Sequence, residues 1–369
     1  MSKVTQDAVL AALRHIEDPD LRQDIVSLGF IKDLKIDGGR VAFSIELTTP
    51  ACPVKDMMKN AATNAVSEIP GVEAVDIKMT AQVRGHQGAG GAAAAGAPSF
   101  ADGRIAGIKH IVPVASGKGG VGKSTVAVNL AVALAAQGAR VGLMDADIYG
   151  PSVPALMGIT QPPQVLNGHI VPVLQHGVKV ISMGFFIDEK QAVVWRGPML
   201  AKALDEFLGN VGWGELDYLI VDLPPGTGDV QLSLCQKLAL TGAVVVSTPQ
   251  DVALKVAQKA ITLFEMLKTP VLGLVENMSY YACPHCGERD DIFGNGGTKR
   301  AAAEMGLPFL GELPLASAIR ERGDRGRPSA LDAESPHGKA FRSVAEQLAA
   351  QISIRTMKGE LGGEIKLSF

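Results

Sequence analysis

The chain has 369 residues, 47% of them apolar and 20% charged, with a net charge of -3. That composition excludes a largely disordered protein, and the length leaves room for two or three domains, one of them large. A mild negative charge without any dense run of Lys or Arg gives no electrostatic footprint for nucleic acid or an anionic membrane surface. Residues 1–7 lack the basic-then-apolar pattern of a signal peptide, and no apolar run reaches membrane-spanning length. A cytoplasmic protein with neither nucleic acid nor membrane as partner is the expectation. Four cysteines, Cys52, Cys235, Cys283 and Cys286, are too few for a disulfide scaffold and point toward metal or redox chemistry.

In chain order, residues 7–15 have amphipathic helical spacing, and 29–36 and 40–47 read as strands joined by the hairpin turn Asp37-Gly38-Gly39. Residues 57–67 return to helical periodicity, and after the Pro70-Gly71 break residues 72–79 alternate as a strand. This predicts a small α+β domain over residues 1–84. Residues 85–104, rich in Gly and Ala, have little that could pack and read as a flexible linker. From 105 to 369, apolar strand-like runs at 110–115, 140–144, 218–221, 243–247, 271–275 and 309–312 alternate with helical segments. Such runs predict a mainly parallel sheet covered by helices on both faces.

The segment from Gly117 through Lys118, Gly119, Gly120, Val121, Gly122, Lys123 and Ser124 to Thr125 lies between one of these strands and an Ala-rich helix. Glycines let backbone N–H groups approach a polyphosphate, Lys123 supplies a point charge for the β and γ phosphates, and the Ser124 hydroxyl is a magnesium ligand. The helix that follows adds its positive dipole end. The fold class expected is therefore α/β, a P-loop NTPase with a small N-terminal α+β domain. Acidic residues end two later strands, in Asp145-Ala146-Asp147 and in the run Asp222 to Asp229, where open α/β sheets bind ligands. For Asp145 and Asp229 a capping role at a turn is an equal alternative.

With its extra lysine, Lys118, this loop resembles the deviant Walker A pattern of the ParA/MinD and nitrogenase-iron-protein superfamily. The resemblance implies a nucleotide-sandwich homodimer in which Lys118 reaches the partner's nucleotide. It also implies that Asp147 is a catalytic aspartate, Asp222 the Walker B residue, and Asn277 a contact for the adenine.

Cys283-Pro284-His285-Cys286 has the spacing for two thiolates on one metal centre, but a closed site takes four ligands and the chain has no second close pair. Two copies of the loop across a two-fold axis would supply four. The motifs KGGVGKST, DADIYGPS, VDLPPGTGD, TPQDVAL, VENMS and CPHC, in this order, resemble the Mrp/ApbC family. Residues 18–53 are similar to the PaaD-like iron-sulfur assembly domain often fused to it. The resemblance implies an ATPase using ATP and magnesium, holding a [4Fe-4S] cluster at a homodimer interface through Cys283 and Cys286. It further implies exchange of that cluster with assembly scaffolds and apo-proteins. Val256 and Ala316 stand where the family often has aspartate, and Asn295 interrupts a glycine run. Cys235 reads as a buried small apolar residue, His285 as a spacer, and Cys52 as either a functional or a structural thiol. The same loop also occurs in DNA- or membrane-positioning ATPases and in ATP-driven electron carriers. The absence of a basic face and the closeness of the cysteine pair speak against each in turn.

Overall fold

A computed structural model gives the structure of the chain, describing residues 4–85, 100–101, 104–148, 150–186, 208–283 and 285–359, with the side chains of Phe100, Ala101, Asp229 and Val230 excepted. Near the N-terminus, Thr5 caps helix α1 (Gln6–Leu13) by accepting from the Ala8 N–H. Strands β1 (Ile31–Asp37) and β2 (Arg40–Leu47) form an antiparallel hairpin in which Asp37 faces Arg40. Helix α2 (Lys55–Ser67) crosses back so that β3 (Ala74–Ala81) adds to β2 in parallel. Strand β2 buries every second residue, Val41, Phe43, Ile45 and Leu47, against Met58, Ala62 and Val66 of α2. Period 2 on the strand and period 3.6 on the helix thus close one core.

Of the stretch expected to be a linker, residues 86–99 lie outside the described residues. Its end is more structured than a flexible connection implies: Phe100–Ala101 pairs antiparallel with Arg104–Ile105.

The larger part is built on eight strands. They are β4 (Ile108–Ser116), β5 (Val141–Asp145), β6 (Val173–Gln175), β7 (Val178–Ser182), β8 (Leu216–Asp222), β9 (Ala243–Ser247), β10 (Val271–Glu276) and β11 (Phe309–Glu312). Their spatial order is β6-β7-β5-β8-β4-β9-β10-β11, parallel except for the antiparallel edge strand β6. Strands β5, β8, β9 and β10 are buried along their full length, which is why they read as unbroken apolar runs rather than alternating ones. The expected runs lack both β6 and β7, so β8 stood directly after β5. Strand β7 is five residues long and follows short hairpin strands, so its apolar signal is diluted by turns.

Helix α3 (Lys123–Ala136) is buried on nearly all sides, lying between the sheet and the long helix α7 (Pro336–Lys358). Helix α4 (Asp229–Lys237), α5 (Asp251–Met266) and α6 (Gly297–Glu304) complete the flanking layers. No helix among the described residues is long and apolar enough to cross a membrane.

The small sheet rests on the large one. The Tyr218 hydroxyl on β8 donates to Thr49 Oγ1 over 3.1 Å, the His110 ring stacks on Tyr218 with centroids 5.7 Å apart, and His110 Nε2 lies 2.9 Å from the Arg84 carbonyl. Ala51 packs into the core of the large unit and Met357 of α7 against that of the small one.

Candidate nucleotide and cysteine sites

Strand β4 delivers the chain to the loop at Ser116, and α3 takes it up at Lys123, so residues 117–122 lie at the carboxyl edge of the sheet. The Ser116 hydroxyl donates to the Lys118 carbonyl over 3.0 Å and the Ser116 carbonyl accepts from the Gly226 N–H at 3.0 Å, fixing the start of the loop. Gly117 cannot be any other residue without movement, because a Cβ there would collide with the backbone of Val256 and Ala257 on α5. Gly122 has a φ of 79°, the left-handed region that glycine enters without penalty, and a side chain there would strike the Asn277 amide. Gly119 and Gly120 face open space. They are open where a phosphate can approach.

Lys123 is 6% exposed, and its ammonium lies 2.5 Å from Asp222 Oδ1, 3.3 Å from Ser124 Oγ and 3.9 Å from Asp147 Oδ2. Burial pushes the Asp222 carboxyl up, and the Lys123 charge opposes that rise. Asp222 Oδ2 is buried with no hydrogen-bond partner. An orphaned carboxylate oxygen beside the Ser124 hydroxyl is the donor set a hard, oxygen-seeking cation uses, so Asp222 and Ser124 fit a magnesium ion directly or through its water. Thr125 is half-buried on the first turn of α3, and its carbonyl accepts from Asn129 Nδ2. Lys118 is half-buried on the outer lip of the loop. No contact of its side chain joins it to Asp147 or Asp222.

Asp145 organises rather than faces this space. One of its oxygens accepts from the Asp147 N–H, and the other accepts from the Val153 N–H and the Ser182 hydroxyl. Burial, with the charge of Asp222 nearby, pushes its carboxyl up to about 7. Its turn-holding role keeps Asp147 beside Lys123. The alternative left open for Asp229 falls outside the described side chains.

Asn277 follows the last residue of β10, and its Nδ2 donates to the Val121 carbonyl over 2.8 Å. Five residues separate it from Cys283. Two-residue strands, Tyr281–Ala282 and Arg289–Asp290, form a hairpin that holds the cysteines at its tip. The Cys283 N–H donates to the Glu288 carbonyl and the Cys283 carbonyl accepts from Gly287, a residue with a φ of 75°. N–H groups of Cys286 and His285, with the Cys286 side chain, lower the Cys283 thiol's pKa. That direction favours the thiolate, the form in which a cysteine binds metal. Cys283 is half-buried and Cys286 exposed. No third His, Cys, Asp or Glu among the described residues completes a metal-binding group with them.

The other two thiols are different. Cys235 is 4% exposed, and burial drives its thiol up to about 12, as its apolar pattern foretold. Cys52 is half-buried, and burial raises it to about 11, with Asp18, Asp20 and Glu346 adding to the rise. Neither is ionised near neutrality. Sequence reasoning gave no role to Ser182, Glu276, Ser279, Arg289 or Glu312, which hold the turns around both sites. Their partners lie 20 or more residues away in most cases, and no local motif signals them.

Fold and loop together define a P-loop nucleotide triphosphatase. The family model described as NUBPL iron-transfer P-loop NTPase matches residues 107–349, and the model of iron-sulfur cluster assembly proteins matches residues 6–77. The chain belongs to the iron-sulfur cluster carrier family. It is 46% identical to the iron-sulfur cluster carrier protein of Synechocystis sp. over 96% of this chain and 99% of that one. It is 49% identical to that of Deinococcus radiodurans over 95% and 97%. A solved structure from Archaeoglobus fulgidus, a nucleotide-binding protein in complex with ADP, is 45% identical with a TM-score of 0.55, covering 62% of this chain and 90% of that one.

Proposed function

We propose that the protein binds and hydrolyses ATP at residues 117–125, carries a [4Fe-4S] cluster between the Cys283 and Cys286 pairs of two copies, and hands it to apo-proteins. The observation that carries this reading is two thiols, one with a lowered pKa, displayed on a hairpin that starts four residues after an asparagine bonded to the phosphate loop. Two thiolates per chain leave a cluster half-ligated, and a two-fold axis supplies the other half. The organisation that suits this is an assembly domain over residues 1–84, a connection over 85–104 and the ATPase over 105–369. A cytoplasmic location accords with it.

Lys123 pairs with Asp222 and, at longer range, with Asp147. An incoming triphosphate competes for that ammonium. Lys123 then neutralises the β and γ oxygens, and the backbone N–H groups of 119–123 with the helix dipole of α3 take the remaining charge. A magnesium ion would be held by Ser124 and Asp222, directly or through water, and would supply charge compensation for the phosphates. Asp147, released from Lys123, is left to orient a water toward the γ phosphate, and Lys118 extends toward the partner's nucleotide. Asn277 contacts the base edge of the pocket. Phosphoryl transfer asks for positioning and charge compensation rather than covalent help, which is what these residues supply.

Anaerobic reconstitution with iron and sulfide tests the reading. Wild type is expected to hold four irons and four sulfides per dimer, and Cys283→Ala to lose them. A full labile cluster retained by Cys283→Ala overturns the cysteine assignment. Undiminished ATP turnover by Lys123→Ala overturns that of the loop.

A further inference from the structure

Between the phosphate loop and the cysteine hairpin runs a set of side-chain contacts joined through the adjacent residues Glu276 and Asn277. Asn277 grips the loop through the Val121 carbonyl. Its neighbour Glu276 is fully buried, and its carboxylate accepts from the Ser279 hydroxyl at 2.6 Å, the Gly296 N–H at 3.0 Å and the Thr298 N–H at 2.7 Å. On the other side of Ser279, the same hydroxyl lies 3.0 Å from Glu312 Oε2. Glu312 is held by Arg289 in a two-pronged ion pair of 3.0 and 3.2 Å, and Arg289 belongs to the returning strand of the cysteine hairpin. The Arg289 guanidinium also lies 4.1 Å over the Tyr280 ring, which leads into the outgoing strand. Arg289 therefore fastens the returning leg to Glu312 and lays it over Tyr280, the residue before the outgoing leg.

Ser279 is the point of interest, since a hydroxyl owns one proton and here stands between two carboxylates. It can donate to Glu276 or to Glu312, but not to both at once. Donation to Glu276 closes the contact on the nucleotide side and leaves Glu312 to Arg289 alone. Donation to Glu312 ties the hairpin inward and loosens Glu276. A hydroxyl with two available acceptors, Glu276 buried at 2.6 Å and Glu312 part-exposed at 3.0 Å, offers two arrangements of the kind that carries energetic coupling between sites.

We propose that the Ser279 hydroxyl, exchanging between Glu276 and Glu312, transmits occupancy of the phosphate loop to the pose of the Cys283 and Cys286 hairpin. Ser279, Glu312 and Arg289 are positioning residues in this scheme and touch neither nucleotide nor cluster. The proposal rests on the reading that residues 117–125 bind ATP. Displacement of the loop by phosphate moves Asn277, and with it Glu276, whose grip on Ser279 sets which carboxylate receives the proton.

The test uses the full-length, cluster-free protein and reads the rate of iodoacetamide alkylation at each cysteine by peptide mass spectrometry, with and without saturating Mg-ATPγS. In wild type, nucleotide is expected to change the rate at Cys283 and Cys286 by about five-fold or more, the lower end of ordinary coupling between sites. Cys235, buried, is an internal control. Ser279→Ala and the near-isosteric Glu312→Gln are expected to bind ATPγS with wild-type affinity by calorimetry and to lose the nucleotide-dependent change. Two outcomes overturn the proposal: wild type that binds ATPγS without any change in alkylation, or both variants responding as wild type does. Failure of wild type to bind ATPγS at all is a separate result, which removes the nucleotide reading and this proposal with it.

Discussion

The phosphate loop and the cysteine hairpin differ in how the fold supports them. The loop is set into the core, with Lys123 and Asp222 buried, Gly117 against the backbone of α5 and Gly122 against Asn277. The hairpin stands out from the core on two-residue strands, and its cysteines are only half-buried or exposed. On the proposed reading the first presents fixed charge to a nucleotide, so rigidity serves it. On the same reading the second releases what it binds, and a weakly packed tip suits release. Substitutions should therefore damage the two sites in different currencies, stability and nucleotide affinity at one, metal content at the other.

The largest effect is expected at Lys123. Lys123→Ala leaves Asp222 buried without its cation and should lower stability by about 3–5 kcal/mol in urea unfolding, besides abolishing ATP binding. Gly122→Ala forces a side chain into left-handed backbone and toward Asn277. A loss of about 1–3 kcal/mol is expected, with weakened ATPγS binding in calorimetry. The buried Asp145 gives a pH signature to the same region. Its folded pKa, pushed up to about 7, exceeds the ordinary carboxylate value, so its contribution to stability is fully present below about pH 4 and is lost as pH rises through about 7. That amounts to at most about 1.4 kcal/mol per pH unit within this window, measurable as a rising melting temperature from pH 7.5 to 5.5. Tyr218→Phe removes the hydroxyl that reaches Thr49 and should cost about 1 kcal/mol, with faster proteolysis between the two sheets. Cys283→Ser should change stability by no more than about 0.5 kcal/mol while removing most bound iron after anaerobic reconstitution. A large stability loss at Cys283, or none at Lys123, would break the contrast.

How much of this was readable beforehand follows the same divide. The loop, the carboxyl-edge aspartates and the parallel strands announce themselves through local pattern, since glycines, a Lys-Ser pair and apolar runs carry their reasons within a few residues. Cys283 and Cys286 are equally visible as a pair from their spacing. What holds the pair is not. Arg289 meets Glu312, Ser279 meets Glu276 and Glu312, and Glu276 caps α6, contacts made by tertiary folding between ordinary-looking polar residues. Strand β7 escaped for a related reason, because its burial is decided by β5 beside it rather than by its own five residues. The last residues of the expected linker pair into a hairpin for which the Gly/Ala composition gave no sign.

Gly117 offers a last consequence. The atoms that forbid a side chain at this position are main-chain atoms of Val256 and Ala257, so the fit between loop and helix α5 is read in backbone and not in side-chain chemistry. The side chain at position 256 is thereby released from any duty to the shape of the loop, and Val256 leaves the cradle intact. The same close approach sets the backbone of the loop against the second turn of α5, so a change in the path of that turn is felt at Gly117.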